Sequence, residues 1–175
     1  YARSLKKISG NPKIGHEHEP GTTAYLMGAA VTINEDGLRD APVQMDADKK
    51  RVLMLGDSLM FGWGVTQDKT TSALLEKKLN ARGIDADIIN TGVGNYNTVM
   101  QVEYFFERGI KYRPDVIVLN YFINDAEPVP AYDDVGGFLN RNSYAWVFFG
   151  SRIDALLRQV QGRKDWKDYY HDLYE

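Results

Sequence analysis

From Arg51 onward, short continuous apolar runs alternate with stretches of helical period, which predicts strands separated by helices. Val52-Leu53-Met54-Leu55 ends at Gly56 and reads as a strand buried on both faces, the pattern of a parallel sheet. Thr71 to Arg82 places Leu74, Leu75 and Leu79 on one face, with Glu76, Lys77 and Lys78 elsewhere, and Gly83 closes it as an amphipathic helix. The unit then recurs. Ala86 to Asn90 reads as a strand and Gly92-Val93-Gly94 as a loop; Thr98 to Arg108 reads as a helix with Val99, Val102 and Phe106 inward and Gly109 as its stop. A third strand, Asp115 to Tyr121, follows Pro114, a helix is expected over Tyr144 to Val160, and the chain closes on a strongly aromatic segment, Trp166 to Tyr174.

Residues 1–50 carry Gly, Pro and acidic residues with little periodicity and one strand-like stretch, Ala30 to Asn34, closed by Glu35-Asp36-Gly37. They are expected to form a lead-in segment to a domain over 51–175. Strands and helices of these lengths imply right-handed crossovers and an α/β fold, a three-layer α/β/α sandwich around a parallel sheet. Ligands in such sheets bind at the carboxyl ends of the strands. That rule selects the loops Gly56 to Gly64, Gly92 to Asn97 and Phe122 to Pro128.

At 175 residues, 43% apolar and 26% charged, the composition is that of an ordinary globular domain. The net charge of −3 offers nothing broad to a phosphate backbone, so nucleic acid is not an expected partner. The absence of cysteine rules out thiolate metal sites and cysteine nucleophiles. Tyr25 to Ile33 is about half the ~20 residues that span a bilayer, so no integral membrane segment is expected. The chain opens on Tyr1, which suggests a processed product and favours an extracytoplasmic location, although the compartment and the oligomeric state stay open.

Ser58, in Leu55-Gly56-Asp57-Ser58-Leu59, lies where a strand turns through a loop into a helix, a position that exposes a hydroxyl at the rim of a sheet. A serine hydroxyl becomes a nucleophile when a base takes its proton, and the oxyanion that follows needs donors aimed at it. Gly94 can present its N–H unobstructed by a side chain, and Asn124 can offer its amide to the same oxygen. Taken alone, Ser58 reads as well as a helix N-cap. Asp57 and Asp125 read as loop supports that accept from backbone amides.

Three blocks in order, Leu55-Gly56-Asp57-Ser58-Leu59, Asn90-Thr91-Gly92-Val93-Gly94 and Tyr121-Phe122-Ile123-Asn124-Asp125, resemble the first three conserved blocks of the SGNH (GDSL-like) hydrolases. Ile33 to Arg39 resembles the lead-in of some bacterial members. The resemblance implies a flavodoxin-like fold, Ser58 as nucleophile, Gly94 and Asn124 in the oxyanion hole, and no metal or organic cofactor. It implies a serine ester hydrolase acting through an acyl-enzyme on a small-molecule ester or an acylated carbohydrate. An O-acetyltransferase of the same fold, and a non-catalytic carbohydrate- or ester-binding module lacking the catalytic histidine, stay open as alternatives.

Two departures stand out. Phe122 occupies a position that is usually glycine, which narrows the expected acyl pocket. The fourth block pairs an aspartate with a histidine three residues on, a spacing that Asp168 and His171 have. The family places that pair after two more strands, for which this stretch has no signal. With Trp166, Tyr169, Tyr170 and Tyr174 at helical spacing, the segment reads as an amphipathic helix and the match as coincidence. The sheet is then expected to be C-terminally incomplete, with the natural protein continuing past Glu175.

His16-Glu17-His18-Glu19 has the alternation of a metal-binding strand, but a solvated loop before Pro20-Gly21 is the plainer expectation. Lys6-Lys7 is too short a basic run to suggest a role. Trp63, Tyr96, Tyr121 and Phe122 border the expected site and suit either stacking on a ligand or filling core.

Overall fold

The computed structural model describes residues 3–45 and 48–126, with Arg3 and Asn124 as backbone only; the segments expected over 144–160 and 166–174, with Asp168 and His171, lie outside the described residues. Its frame is a parallel sheet of β5 (Lys50–Leu55), β6 (Ala86–Asn90) and β7 (Val116–Leu119) in the order β6-β5-β7. Leu53 stands opposite Ile89 on one side and Ile117 on the other. With the first strand of the unit between the second and third, this is the start of the 2-1-3 order found in flavodoxin-like folds.

The two faces of the sheet separate by residue parity, as a pleated strand requires. Leu53, Leu55 and Ile89 pack with Met100 and Tyr104 of α3 (Thr98–Tyr104). Met54 and Ile88 pack, with Val52, against Leu75 and Leu79 of α2 (Thr71–Asn80). Helices therefore cover both faces, and the expected three-layer α/β/α arrangement is the fold. Each fully buried aliphatic side chain in these layers contributes roughly 2 kcal/mol of apolar burial.

Both helices start on side-chain caps: Thr70 Oγ1 accepts from the Ala73 N–H at 3.3 Å and Asn97 Oδ1 from the Met100 N–H at 2.9 Å. The cap at Asn97 sets the phase of α3, and that phase corrects the expected inward face. Met100, Gln101 and Tyr104 are buried, whereas Val99, Val102 and Phe106 are exposed. Apolar spacing alone missed this, because the buried stripe includes a glutamine that reaches the Asp125 carboxylate. Past Tyr104 the helix widens into a π turn, Phe105–Gly109, and Gly109 continues it in right-handed geometry rather than stopping it. Leu74 likewise turns outward from α2.

The N-terminal segment is more regular than its sequence suggests. β1 (Lys6–Ile8) pairs with β2 (His16–His18), and β3 (Thr23–Leu26) with β4 (Ala29–Thr32), both antiparallel. Met27 and Gly28 connect the second hairpin with φ of 48° and 85°, the left-handed pair that a two-residue hairpin turn demands. His16 to Glu19, expected as a solvated loop, is mostly strand, with Glu17 and His18 buried. The carboxylate of Glu17 accepts from Ser9 Oγ at 2.5 Å and from Arg108. His18 packs on the Phe61 ring at 4.9 Å.

Between the hairpins and the sheet, Gly37-Leu38-Arg39-Asp40 runs through the interior. Arg39 is fully buried; its guanidinium donates to the Phe61, Gly62 and Val65 carbonyls and lies 5.0 Å from the centre of the Phe61 ring. Asp40 Oδ2 accepts from the Asn90 N–H at 2.8 Å, at the end of β6. Among the described residues no helix is long and apolar enough to cross a membrane.

Burial pushes the Asp40 carboxyl up from 3.8 to about 7, so the folded chain favours its neutral form. The associated stability is complete below the unfolded value of 3.8 and is lost as pH rises through about 7. Over that window the melting temperature of the wild type should fall relative to that of Asp40→Asn, whose amide oxygen still accepts from Asn90. Parallel melting curves across the window would contradict this.

Candidate active site

Three loops meet around the last carbonyls of β5. The Thr91 N–H and hydroxyl both donate to the Met54 carbonyl, at 3.1 and 2.9 Å. The Asn120 N–H and side-chain amide donate to the Leu55 carbonyl, at 2.9 and 3.0 Å. The Val93 N–H donates to the Gly56 carbonyl at 3.1 Å. A strand between two parallel neighbours ends with unpaired acceptors, and here the adjoining loops satisfy them. The loops after β6 and β7 are thereby held against the loop after β5.

Ser58 is the first residue of α1 (Ser58–Phe61), a single turn that opens from β5. The cap of that turn is Asp57, buried, whose Oδ1 accepts from the Leu59 N–H at 2.8 Å. The alternative role for Ser58, N-cap, is therefore filled by its neighbour. Among the described residues the Ser58 hydroxyl, half-buried, makes no side-chain hydrogen bond. Gly62 ends the turn at φ 84°, and its N–H returns to the Ser58 and Leu59 carbonyls at 3.1 Å each.

Gly94 stands directly beside this turn. A Cβ built on it would lie 3.8 Å from Ser58 Cβ and 3.7 Å from Lys6 Nζ. Its neighbour Gly92 is packed far more tightly: a Cβ there would come within 2.4 Å of the Phe61 nitrogen and 2.7 Å of the Met60 carbonyl carbon. Asn90 secures the same junction, donating to the Met60 carbonyl and accepting from the Gly92 N–H, each at 3.0 Å. Backbone therefore lies on backbone between the first and second loops, and only glycine permits it.

The third loop follows β7 as a 3-10 turn, Ile123–Ala126, which contains Asn124. Its support is Asp125, buried, whose carboxylate accepts from the Phe122 N–H, Thr98 Oγ1 and Gln101 Nε2. Burial raises the pKa of this carboxyl. Asp57 and Asp125 thus both serve as expected, accepting from backbone amides to hold their loops. Leu59, Trp63, Tyr121 and Phe122 are exposed, while Tyr96 is core: it is buried, its hydroxyl donates to the His16 carbonyl at 2.5 Å, and its ring packs on His16 and Tyr104.

The place of two residues in this site was not legible in the sequence. Lys6 Nζ donates to the Gly94 carbonyl at 2.7 Å, and His16 Nε2 lies 2.9 Å from both that oxygen and Lys6 Nζ. Burial, reinforced by the Lys6 charge, lowers the His16 pKa to about 4, which keeps the imidazole neutral near pH 7. The only sequence signals were a lysine pair and an alternating His-Glu-His, neither specific. The residues set out like metal ligands are engaged separately, His16 at Gly94, Glu17 at Ser9 and Arg108, and His18 at the Gly37 carbonyl.

A model of the GDSL-like lipase/acylhydrolase family matches residues 54–168, a span that begins in β5 and takes in all three loops. The chain belongs to that family. Among solved structures it is similar to AlinE4, described as an SGNH-hydrolase family esterase, at 29% identity with a TM-score of 0.40. The match covers 46% of this chain and 43% of that one, so the chain spans under half the length of the solved esterase. A single-substitution variant of the same esterase matches at 28% identity and a TM-score of 0.37, over 42% of this chain and 41% of that one. A search of curated proteins gives no match.

The two loop glycines should respond differently to a methyl group. Gly92→Ala drives a Cβ into backbone atoms and should cost on the order of 2 kcal/mol, lowering the melting temperature by several degrees. Gly94→Ala meets only ordinary contacts and should melt with the wild type. Equal melting temperatures for all three proteins would show that the loops do not pack this closely.

Proposed function

We propose that this chain carries the nucleophile and anion-binding groups of a serine esterase. Ser58 Oγ bonds to the carbonyl carbon of an ester while a base takes its proton, and the carbonyl electron pair moves onto oxygen. That oxyanion is received by the Ser58 and Gly94 N–H groups and the Asn124 side chain. Collapse of the intermediate expels the alcohol, which takes up the proton, and water then releases the acid from Ser58 by the same steps.

The observation that carries this reading is the juxtaposition of Ser58 and Gly94 at the carboxyl ends of adjacent parallel strands, with Asp57 taking the capping role and leaving the serine hydroxyl available. Family membership supports the hydrolase class. The proposed substrate is a small acyl ester, such as an acetyl group on a carbohydrate. Leu59 on the Ser58 turn and Trp63 just past it, 59% and 39% exposed, suit the flat apolar face of a sugar.

In the full natural protein, Ser58→Ala should reduce hydrolysis of p-nitrophenyl acetate by at least about 1,000-fold with an unchanged melting temperature. Hydrolysis no faster in the wild type than in Ser58→Ala would replace the enzyme with a binding module, and acyl transfer to an added sugar in preference to water would make it a transferase. His171→Ala in the same assay should turn over like the wild type, since the Asp168 and His171 spacing is read as coincidence; a collapse of turnover would identify that pair as the source of the base.

A further inference from the structure

Lys6 is the unexplained residue of the site. It comes from the hairpin farthest from the sheet in sequence, yet its Nζ reaches the Gly94 carbonyl 88 positions away at 2.7 Å. The point where a Cβ on Gly94 would stand is within 4 Å of both Lys6 Nζ and Ser58 Cβ, so the ammonium sits on the nucleophile's side of that loop. Its position is fixed by the hairpin. Lys6 pairs with His18 in the β1–β2 register, Leu5 before it is buried, and the Leu5 carbonyl accepts from the Glu19 N–H at 2.8 Å.

A lysine drawn out of water normally meets a carboxylate. Among the described residues none lies within ion-pair distance of Lys6; what faces it is the Gly94 carbonyl, with His16 and His18 from β2. Burial lowers its pKa to about 8, which leaves the ammonium predominantly charged at neutral pH. The imidazoles of His16 and His18 are held at about 4 and about 3, so neither competes as a cation. A desolvated charge without a counter-anion is destabilising, and it is offset where negative charge develops nearby.

We propose that Lys6 is a positioning residue of the oxyanion loop, its ammonium holding the Gly94 carbonyl so that the Gly94 N–H stays turned toward the oxygen of an ester at Ser58. The inference rests on the esterase reading above. The N-terminal hairpin is on this account a part of the working site, and the positive charge of Lys6 adds to the field that favours the tetrahedral intermediate over the neutral ester. An interaction that strengthens only as charge develops appears in kcat and leaves KM nearly unchanged.

The test uses the full natural protein with p-nitrophenyl acetate, comparing Lys6→Met, Lys6→Gln, Lys6→Arg and Ser58→Ala. Lys6→Met should lower kcat by about tenfold or more with KM within about twofold, the signature of lost transition-state stabilisation. Lys6→Gln, which keeps a neutral donor, should fall between Met and wild type, and Lys6→Arg should recover most of kcat. Should Lys6→Met fail to fold, the Gln and Arg variants carry the same comparison. Wild-type kcat in Lys6→Met or Lys6→Gln, beside an inactive Ser58→Ala, overturns this inference alone. Equal losses in all three Lys6 variants, each with a lowered melting temperature, overturn it in favour of a structural lysine. An active Ser58→Ala removes the esterase reading beneath it.

Discussion

The architecture around Ser58 depends on one buried cation. Arg39 gives up its hydration entirely, and the loss is tolerable because its guanidinium finds the carbonyls of Phe61, Gly62 and Val65 at the end of a helical turn and in the loop after it, the Gly62 oxygen also accepting from the Val65 N–H at 3.2 Å. A neutral side chain of the same bulk would fill the volume without answering those oxygens. Desolvation lowers the pKa of the guanidinium, the expected direction for a cation held among carbonyl dipoles and, among the described residues, without a carboxylate on it. Next in the chain, the Asp40 carboxyl fixes the end of β6. Two consecutive residues, Arg39 and Asp40, thus hold the exit of α1 and the end of β6.

This arrangement explains how a turn of four residues can present a side chain reliably. An isolated helical turn has no stability of its own. Here Asp57 closes its start, Gly62 its end, Asn90 anchors its middle through the Met60 carbonyl, and Arg39 covers its exit. Every tether belongs to a rigid element or a buried side chain, so the geometry of Ser58 is inherited from the sheet.

The parts legible in the sequence were those whose physics is local or periodic. β5 read clearly because Val52 to Leu55 is an uninterrupted apolar run, β6 was legible from its Ile88-Ile89 centre, and the loops at their ends followed from the parallel arrangement. The supporting roles of Asp57 and Asp125 were legible because a carboxylate caps backbone it adjoins. The buried face of α3 was not, since it mixes Met100 and Tyr104 with Gln101 and only the cap at Asn97 reveals its phase. Of the two N-terminal hairpins only β4 was legible, as the strand-like stretch Ala30 to Asn34, because three or four residues are too few to tell a strand from a loop. Lys6 and His16 meet Gly94 across 88 and 78 positions, a distance over which no pattern in one sequence speaks.

The contact between Gly92 and the backbone of Met60 and Phe61 fixes more than a packing distance. The separation between the Ser58 turn and its neighbouring loop is a main-chain dimension, which exchange of side chains cannot retune. Asn95, at φ 71°, is similarly confined to residues that accept left-handed geometry. Variation in what the site accommodates is thereby channelled to Leu59 and Trp63, which project outward and share no such contact, so selection can reshape the entrance while leaving the central geometry as it stands.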